Sequence, residues 1–232
     1  MSVRIECATI NWTAFVNEWR TSYHEFTNAQ AHSSYNDPIR LKNVDHHHYD
    51  SLRILLAEYR IEGLWTDVEV FTISRVWHYL NPWRDSCRGL QSLRDRGFIV
   101  AALSNGNVDL LEDLVDFVPL PWNYIFSAED FNAYKPHSSV YLGACKALKL
   151  KPGECAMVAA QLGDLHAAKM CGLQAIYVER EGEESYCDEM VSVEKEMGWV
   201  DIWIGLDETA FGGGILEVGR RVRRMVNGNV PH

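Results

Sequence analysis

Three short polar clusters in the second half of the chain carry the side chains best suited to chemistry. Each follows a short apolar run, and they are residues 104–107 (SNGN), 127–135 and 161–164. The second ends in Lys135 and the third in Asp164, and a cation paired with a carboxylate in a cleft can move a proton. We interpret this pair as catalytic. The alternative is a structural salt bridge, which contributes little to stability.

The first cluster also offers hydrogen-bond donors. Ser104 and Asn105 can present hydroxyl, amide and backbone N–H groups to a substrate oxygen. The alternative is a loop that satisfies its own backbone groups. Gln161, at the start of the third cluster, is a further candidate for substrate binding.

The elements that must position these clusters change in type along the chain. Residues 11–85 carry apolar residues at helical spacing, which predicts a helical unit. From residue 86 onward short apolar runs alternate with helical segments, as is typical of an α/β fold with a parallel sheet. Ligands bind at the carboxyl ends of the strands in such sheets, so the three clusters should converge on one site. The predicted strands are 98–103, 124–126, 156–160, 174–178 and 201–205.

Local signals predict where helices begin. Asn11 and Asp45 are predicted N-caps, and Thr66-x-x-Glu69 is a capping-box pattern that opens a helix running to Leu80. Near the end of the chain, residues 212–214 (GGG) predict a hinge before a basic amphipathic helix.

Composition narrows the class of partner. The chain has 232 residues and a net charge of −10, which argues against nucleic acid or an anionic membrane surface as the main partner. Six cysteines lie far apart without a C-x-x-C pair, and no apolar run of membrane-spanning length occurs. These features predict a cytoplasmic protein that binds a small molecule and keeps its thiols reduced.

The segments LSNGN, YKPHSSVYLGA and VAAQLGDLHAAKMCGLQAIYVER, in this order after WHYLNPW, resemble the haloacid dehalogenase (HAD) superfamily. The resemblance is greatest to its 2-haloacid dehalogenase branch and covers nearly the whole chain. It implies a HAD-like, Rossmann-like parallel sheet domain with a helical cap. The cap is residues 11–85, and residues 1–10 with 86–232 form the α/β core.

The same resemblance implies site residues. Ser104, followed by Asn105, matches the serine of the second family motif, and Lys135 matches the lysine of the third. Tyr141 matches the tyrosine six residues after that lysine, and Asp164 matches the acidic residue of the fourth motif.

The first family motif has no counterpart in the sequence. In the family an apolar strand ends in Asp-x-x-Gly-Thr, and its aspartate is the nucleophile, but residues 1–10 contain no aspartate. The segment SVRIECA alternates apolar and charged residues, which suits a half-exposed strand rather than a central one. We expect this segment, a closed gap or a second subunit of a homodimer to fill the central position. Glu6 is a weaker candidate for a relocated nucleophile, since surface carboxylates are usually solvated.

No metal or cofactor is expected. The family's phosphatases hold Mg²⁺ with two carboxylates, and Asp164 alone is a poor ligand set for that ion. The run His46-His47-His48 does not favour a metal site, because consecutive helical residues point in different directions.

Two residues of the helical region complete the candidate site. His48 matches a family histidine, and because histidine titrates near neutral pH it is a candidate acid or base. A packing role is the alternative. Trp83, which follows Pro82 at the domain junction, is a candidate to line an apolar substrate pocket, although aromatics at helical spacing more often belong to a core.

Three functions follow from these expectations. The first is a cofactor-independent isomerase, cyclase or lyase that moves a proton without a covalent intermediate, with its acid and base among Asp164, Lys135 and His48. The second is a non-catalytic protein that binds a ligand or a protein partner. The third is a dehalogenase or other hydrolase that uses an unexpected carboxylate or an activated water.

Overall fold

A computed structural model describes residues 10–32, 43–206 and 213–228. The chain divides into two compact units. The first unit comprises Met1–Leu80, Ser104–Val118 and Ser127–Lys135, and the second comprises Asn81–Leu103, Pro119–Phe126 and Pro136–His232. The cap boundary at residue 85 stays a prediction.

The described elements follow the predicted order. The first part of the chain is helical, and from β1 onward strands alternate with helices. The strands are β1 (Ala101–Ser104), β2 (Tyr124–Ser127), β3 (Ala156–Ala159), β4 (Gln174–Val178) and β5 (Ile202–Ile204). The helices are α1 (Trp12–His32), α2 (Val44–Glu58), α3 (Asp67–Ser74), α4 (Ser86–Asp95), α5 (Val108–Phe117), α6 (Ser138–Leu148), α7 (Leu162–Met170), α8 (Asp188–Met197) and α9 (Gly214–Gly228). Short 3₁₀ turns cover Glu62–Leu64, Arg75–Tyr79, Ala128–Phe131 and Pro152–Glu154.

Helix starts follow the predicted signals in two cases out of three. Asn11 Oδ1 accepts from the Ala14 N–H, and Thr66 and Glu69 form the capping box that opens α3. Asp45 was the wrong residue for the N-cap of α2. Asn43 takes that position and accepts from the Asp45 N–H at 2.8 Å, which leaves the Asp45 carboxylate for other partners.

The core of the first unit forms where the apolar stripes of its helices meet. Phe15 and Trp19 of α1 pack with Leu52 and Leu56 of α2, and all four are at least 96% buried. Each such side chain stabilises the fold by about 1.5–3 kcal/mol relative to exposure. The Trp19 Nε1–H donates to Ser51 Oγ at 3.0 Å, so its polar atom is also satisfied.

The strands of the second unit form two hydrogen-bonded groups. β1 pairs with β2, and β3, β4 and β5 form a parallel group in that order. Among the described residues, β1 and β3 are not bonded neighbours. The family resemblance places its first strand at the centre of the sheet. The segment SVRIECA lies outside the described residues, so its place stays a prediction.

One buried ion pair anchors α9 to the second unit. Asp85 accepts from Arg180 Nη2 at 2.8 Å and from the Ile215 N–H at 2.6 Å, and Asp85 is 6% exposed. A Cβ at Gly214 would collide with the Asp85 carboxylate. Gly214 is therefore a position of close approach that only glycine permits, whereas Gly212 lies outside the described residues and the hinge stays a prediction.

The described helices include none that is long and apolar enough to cross a lipid bilayer.

Candidate active site

The loops after β1 and β2 form one hydrogen-bonded body in the first unit. Asn105 Oδ1 accepts from the Lys135 N–H at 2.7 Å, and Asn105 Nδ2 donates to the Lys135 carbonyl at 3.3 Å. One amide side chain therefore holds both backbone groups of Lys135. Two of the three predicted clusters meet in this way.

Serine hydroxyls complete this body. Ser104 Oγ accepts from the Gly106 N–H at 3.0 Å, and Ser127 Oγ donates to the Gly106 carbonyl at 2.7 Å. The Glu129 carboxylate accepts from the Val108 N–H at 3.0 Å, at the first turn of α5. These bonds satisfy much of the loop backbone, which was the alternative to an oxygen-binding role for Ser104.

Tyr141 and Asp164 form a hydrogen-bonded pair in the second unit. Tyr141 is fully buried on α6, and its hydroxyl donates to Asp164 Oδ1 at 2.5 Å, in the first turn of α7. Burial, and next the Asp164 charge, raise the pKa of Tyr141 far above its usual value. Tyr141 therefore stays protonated, and its charge-assisted bond holds the carboxylate in one orientation.

Gln161 and Trp83 also lie in the second unit, each with partners there. Gln161 Nε2 donates to the Glu183 carbonyl, and its Oε1 accepts from Ser185 Oγ at 3.2 Å. Trp83 is 45% exposed, and the Arg180 guanidinium lies 5.0 Å from its ring centroid. Substrate binding by either residue stays a prediction.

His48 lies among aromatic rings of the first unit. Its ring stacks on Trp77 at 5.2 Å between centroids, and Trp19 and Tyr23 lie within 6.1 Å. It is 3% exposed, and burial lowers the pKa of His48 to about 3, with His47 adding to the effect. His48 is therefore neutral at pH 7, which does not favour a general acid there and agrees with the packing alternative.

A charge cluster with the buried His78 at its centre was not predicted from the sequence. His78 has no exposed surface; its Nε2 lies 2.9 Å from Asp45 Oδ1 and its Nδ1 lies 2.7 Å from Asp113 Oδ2. Arg75 contacts both carboxylates, at 3.4 and 2.8 Å. Asn107 donates to Asp45 Oδ2 at 3.1 Å, while its own buried Oδ1 has no hydrogen-bond partner among the described residues.

This His78 cluster joins α2, the 3₁₀ turn after α3, and α5. The signal in the sequence was slight: Arg75 and His78 are three residues apart, and their partners are 30 to 38 positions away.

Replacing His78 by leucine should lower the free energy of unfolding by about 1–3 kcal/mol, because the fully buried side chain loses its hydrogen bonds with Asp45 and Asp113. Hydrogen bonds from Arg75 and then His78 hold the pKa of Asp113 below its usual value. The stability from Asp113 is thus present above about pH 4 and lost as pH falls through the lower folded pKa. Urea unfolding at pH 7 should show the lower free energy of unfolding of the variant. Between pH 7 and pH 3 this free energy should decrease less in the variant than in the unaltered protein.

The control is His166→Leu, at an exposed histidine, which should change stability by less than about 0.5 kcal/mol. Equal costs for the two variants would contradict the role given to the His78 cluster.

The predicted site residues thus fall in both units. Ser104, Asn105, Lys135 and His48 belong to the first, and Asp164, Tyr141, Gln161 and Trp83 belong to the second. Among the described residues, no three His, Cys, Asp or Glu side chains are grouped so as to hold a metal ion.

Comparison with known proteins identifies the family to which this chain belongs. The model of the haloacid dehalogenase-like hydrolases matches residues 7–172. The chain belongs to this family, and the expected HAD-like α/β fold is confirmed.

Individual relatives lie in the same branch. The (S)-2-haloacid dehalogenase 4A of Burkholderia cepacia is 32% identical over 105 residues, which are 44% of this chain and 46% of that protein. The chain therefore matches about half the length of this curated relative. A solved L-2-haloacid dehalogenase has 30% identity and a TM-score of 0.71, over 88% of this chain and 82% of the other. A solved defluorinating L-2-haloacid dehalogenase has 26% identity and a TM-score of 0.74, over 92% and 82%.

Proposed function

We propose that this chain moves a proton on a small organic acid without forming a covalent intermediate, with Asp164 as the base. The observation that carries the proposal is the 2.5 Å hydrogen bond between Tyr141 and Asp164. A base must be held in one orientation to act on a C–H bond, and the buried hydroxyl of Tyr141 does this. Tyr141, predicted from sequence to bind substrate, is here a positioning residue.

The charge on Asp164 also suits this role. The carboxylate lies in the first turn of α7, where the helix dipole favours an anion. Lys135 lies in the first unit, where Asn105 holds its backbone, and its catalytic role stays a prediction.

A hydrolytic dehalogenase is the second candidate, and the comparisons favour it. The curated relatives and the solved structures reported above are named as dehalogenases. Carboxylate attack on the substrate would form an ester that water then hydrolyses, and Glu6 is the acidic side chain within residues 1–10. This candidate requires a nucleophile outside the described residues or an activated water.

The two candidates differ in the bond that breaks. In D₂O with 2-chloropropanoate, proton transfer should place deuterium at C2 while chloride is retained. Hydrolysis should release chloride and, in ¹⁸O-labelled water, place the label in the 2-hydroxypropanoate product. Chloride release that is lost in Glu6→Gln would overturn the proposal in favour of the hydrolase. If the protein binds 2-chloropropanoate without incorporating deuterium and without releasing chloride, a non-catalytic binding protein is favoured.

Asp164→Asn tests the proposed base. Loss of the general base should lower the rate of deuterium exchange at least about 100-fold. The control is Asp188→Asn, because Asp188 also lies in the first turn of a helix, α8. Equal exchange rates in Asp164→Asn and in the unaltered protein would show that Asp164 is not the base.

A further inference from the structure

Three of the cysteines that lie far apart in the sequence come together in the second unit. Cys145 lies on α6, Cys155 directly precedes β3, and Cys171 ends α7. They pack in one apolar cluster with the buried Tyr141. The sequence does not predict this grouping, because no C-x-x-C pair brings two of the cysteines close along the chain.

Two of the three thiols are in direct contact. The side chains of Cys145 and Cys155 are hydrogen-bonded to each other. Cys145 is 3% exposed, whereas Cys155 is only half-buried. Burial, and next the bond to Cys155, raise the pKa of Cys145 to about 12. Cys155 is therefore the thiol of the pair that a small oxidant reaches first, and Cys145 is a protonated neighbour held against it.

We propose that Cys145 and Cys155 form a peroxide-sensitive modification site, at which the two thiols join in a disulfide. The Cys155 thiolate attacks a peroxide oxygen, which gives a sulfenic acid and, with hydrogen peroxide, water. The Cys145 sulfur then attacks the sulfenic sulfur, loses its proton, and displaces the hydroxyl as a second water. Each thiol gives up one electron of the two that reduce the peroxide.

The disulfide would act on the neighbourhood of Tyr141. Cys145 follows Tyr141 by four residues on α6, so both side chains lie on one face of the helix. A disulfide is about 2.05 Å long, much shorter than a hydrogen bond between thiols. Closing it draws α6 toward the start of β3, and so shifts the helix whose tyrosine binds Asp164. The proposal does not depend on what Asp164 does.

Mass spectrometry of the full chain tests the site. The folded, reduced protein is treated with one equivalent of hydrogen peroxide, and an intact-mass loss of about 2 Da is expected. Trypsin cleaves after Lys146, Lys149 and Lys169, which puts Cys145, Cys155 and Cys171 on three different peptides. The expected product joins the Cys145 and Cys155 peptides.

Matched variants separate this pair from the other thiols. The mass loss and the joined peptide should persist in Cys171→Ser and disappear in both Cys145→Ala and Cys155→Ser. Alanine is used at position 145 because it leaves no polar atom in an apolar site, and circular dichroism checks that each variant is folded. Addition of oxygen without a joined peptide would overturn the proposal. A joined peptide that contains Cys7, Cys87, Cys171 or Cys187 would overturn it as well.

Discussion

Asp85→Ala is expected to lower the free energy of unfolding by about 3–5 kcal/mol, because it leaves the Arg180 guanidinium buried without its partner. Arg180 and Asp85 side chains are 9% and 6% exposed, so solvent screens the pair little. Burial raises the pKa of Asp85, but bonds from Arg180 and the Ile215 N–H outweigh burial, and the net pKa lies below its usual value. The loss should appear in urea unfolding at pH 7.

The cost should be smaller when both charges are removed. In Asp85→Ala with Arg180→Leu no unpaired charge remains, so the double variant should be more stable than Asp85→Ala alone. The control is Arg220→Ala, because Arg220 is 70% exposed and its bond to Glu217 should be worth less than about 1 kcal/mol. If the double variant loses as much free energy of unfolding as Asp85→Ala and Arg180→Leu lose in sum, Asp85 and Arg180 are not coupled.

The buried imidazole of His48 should make the protein sensitive to mild acid. The unfolded chain protonates this ring near pH 6.5, whereas the folded pKa is about 3. Between these values the unfolded state binds the extra proton, so stability falls as pH falls. The slope should approach about 1.4 kcal/mol per pH unit, and the total should be roughly 3–5 kcal/mol.

Unfolding free energies measured from pH 7 to pH 3.5 test this slope. His48→Phe keeps an aromatic ring against Trp77 and cannot titrate, so its profile should be flatter. His46→Gln, at an exposed histidine two residues earlier, should keep the slope of the unaltered protein. A steep profile that survives in His48→Phe would assign the acid sensitivity to other groups.

Periodicity and turn residues were enough to place the described strands to within three residues and the starts of α1 and α3. The predicted strand 174–178 coincides with β4, and the run 98–103 is shifted, since β1 is Ala101–Ser104. The helix predicted to run from Thr66 to Leu80 ends at Ser74 and continues as a 3₁₀ turn. Apolar spacing alone does not separate an α-helix from a 3₁₀ turn over so short a segment.

Contacts between distant parts of the chain account for what the sequence did not reveal. Family motifs located Asn105 and Lys135, but not the hydrogen bonds that join them. The partnership of Asp45 with His78 spans 33 positions, and Asp45 was assigned instead to a local cap. The contact between Cys145 and Cys155 likewise depends on how α6 packs beside β3.

The Asn105 amide has a consequence for how this protein can change. The Asn105 amide is hydrogen-bonded to the main chain of Lys135 and not to its side chain. The residue at position 135 can therefore be replaced while the loop keeps its conformation. Asn105 has no such freedom, since aspartate lacks the donor for the Lys135 carbonyl and glutamine is one methylene longer. Substitutions at position 135 should therefore leave the loop in place, whereas substitutions at Asn105 should release it.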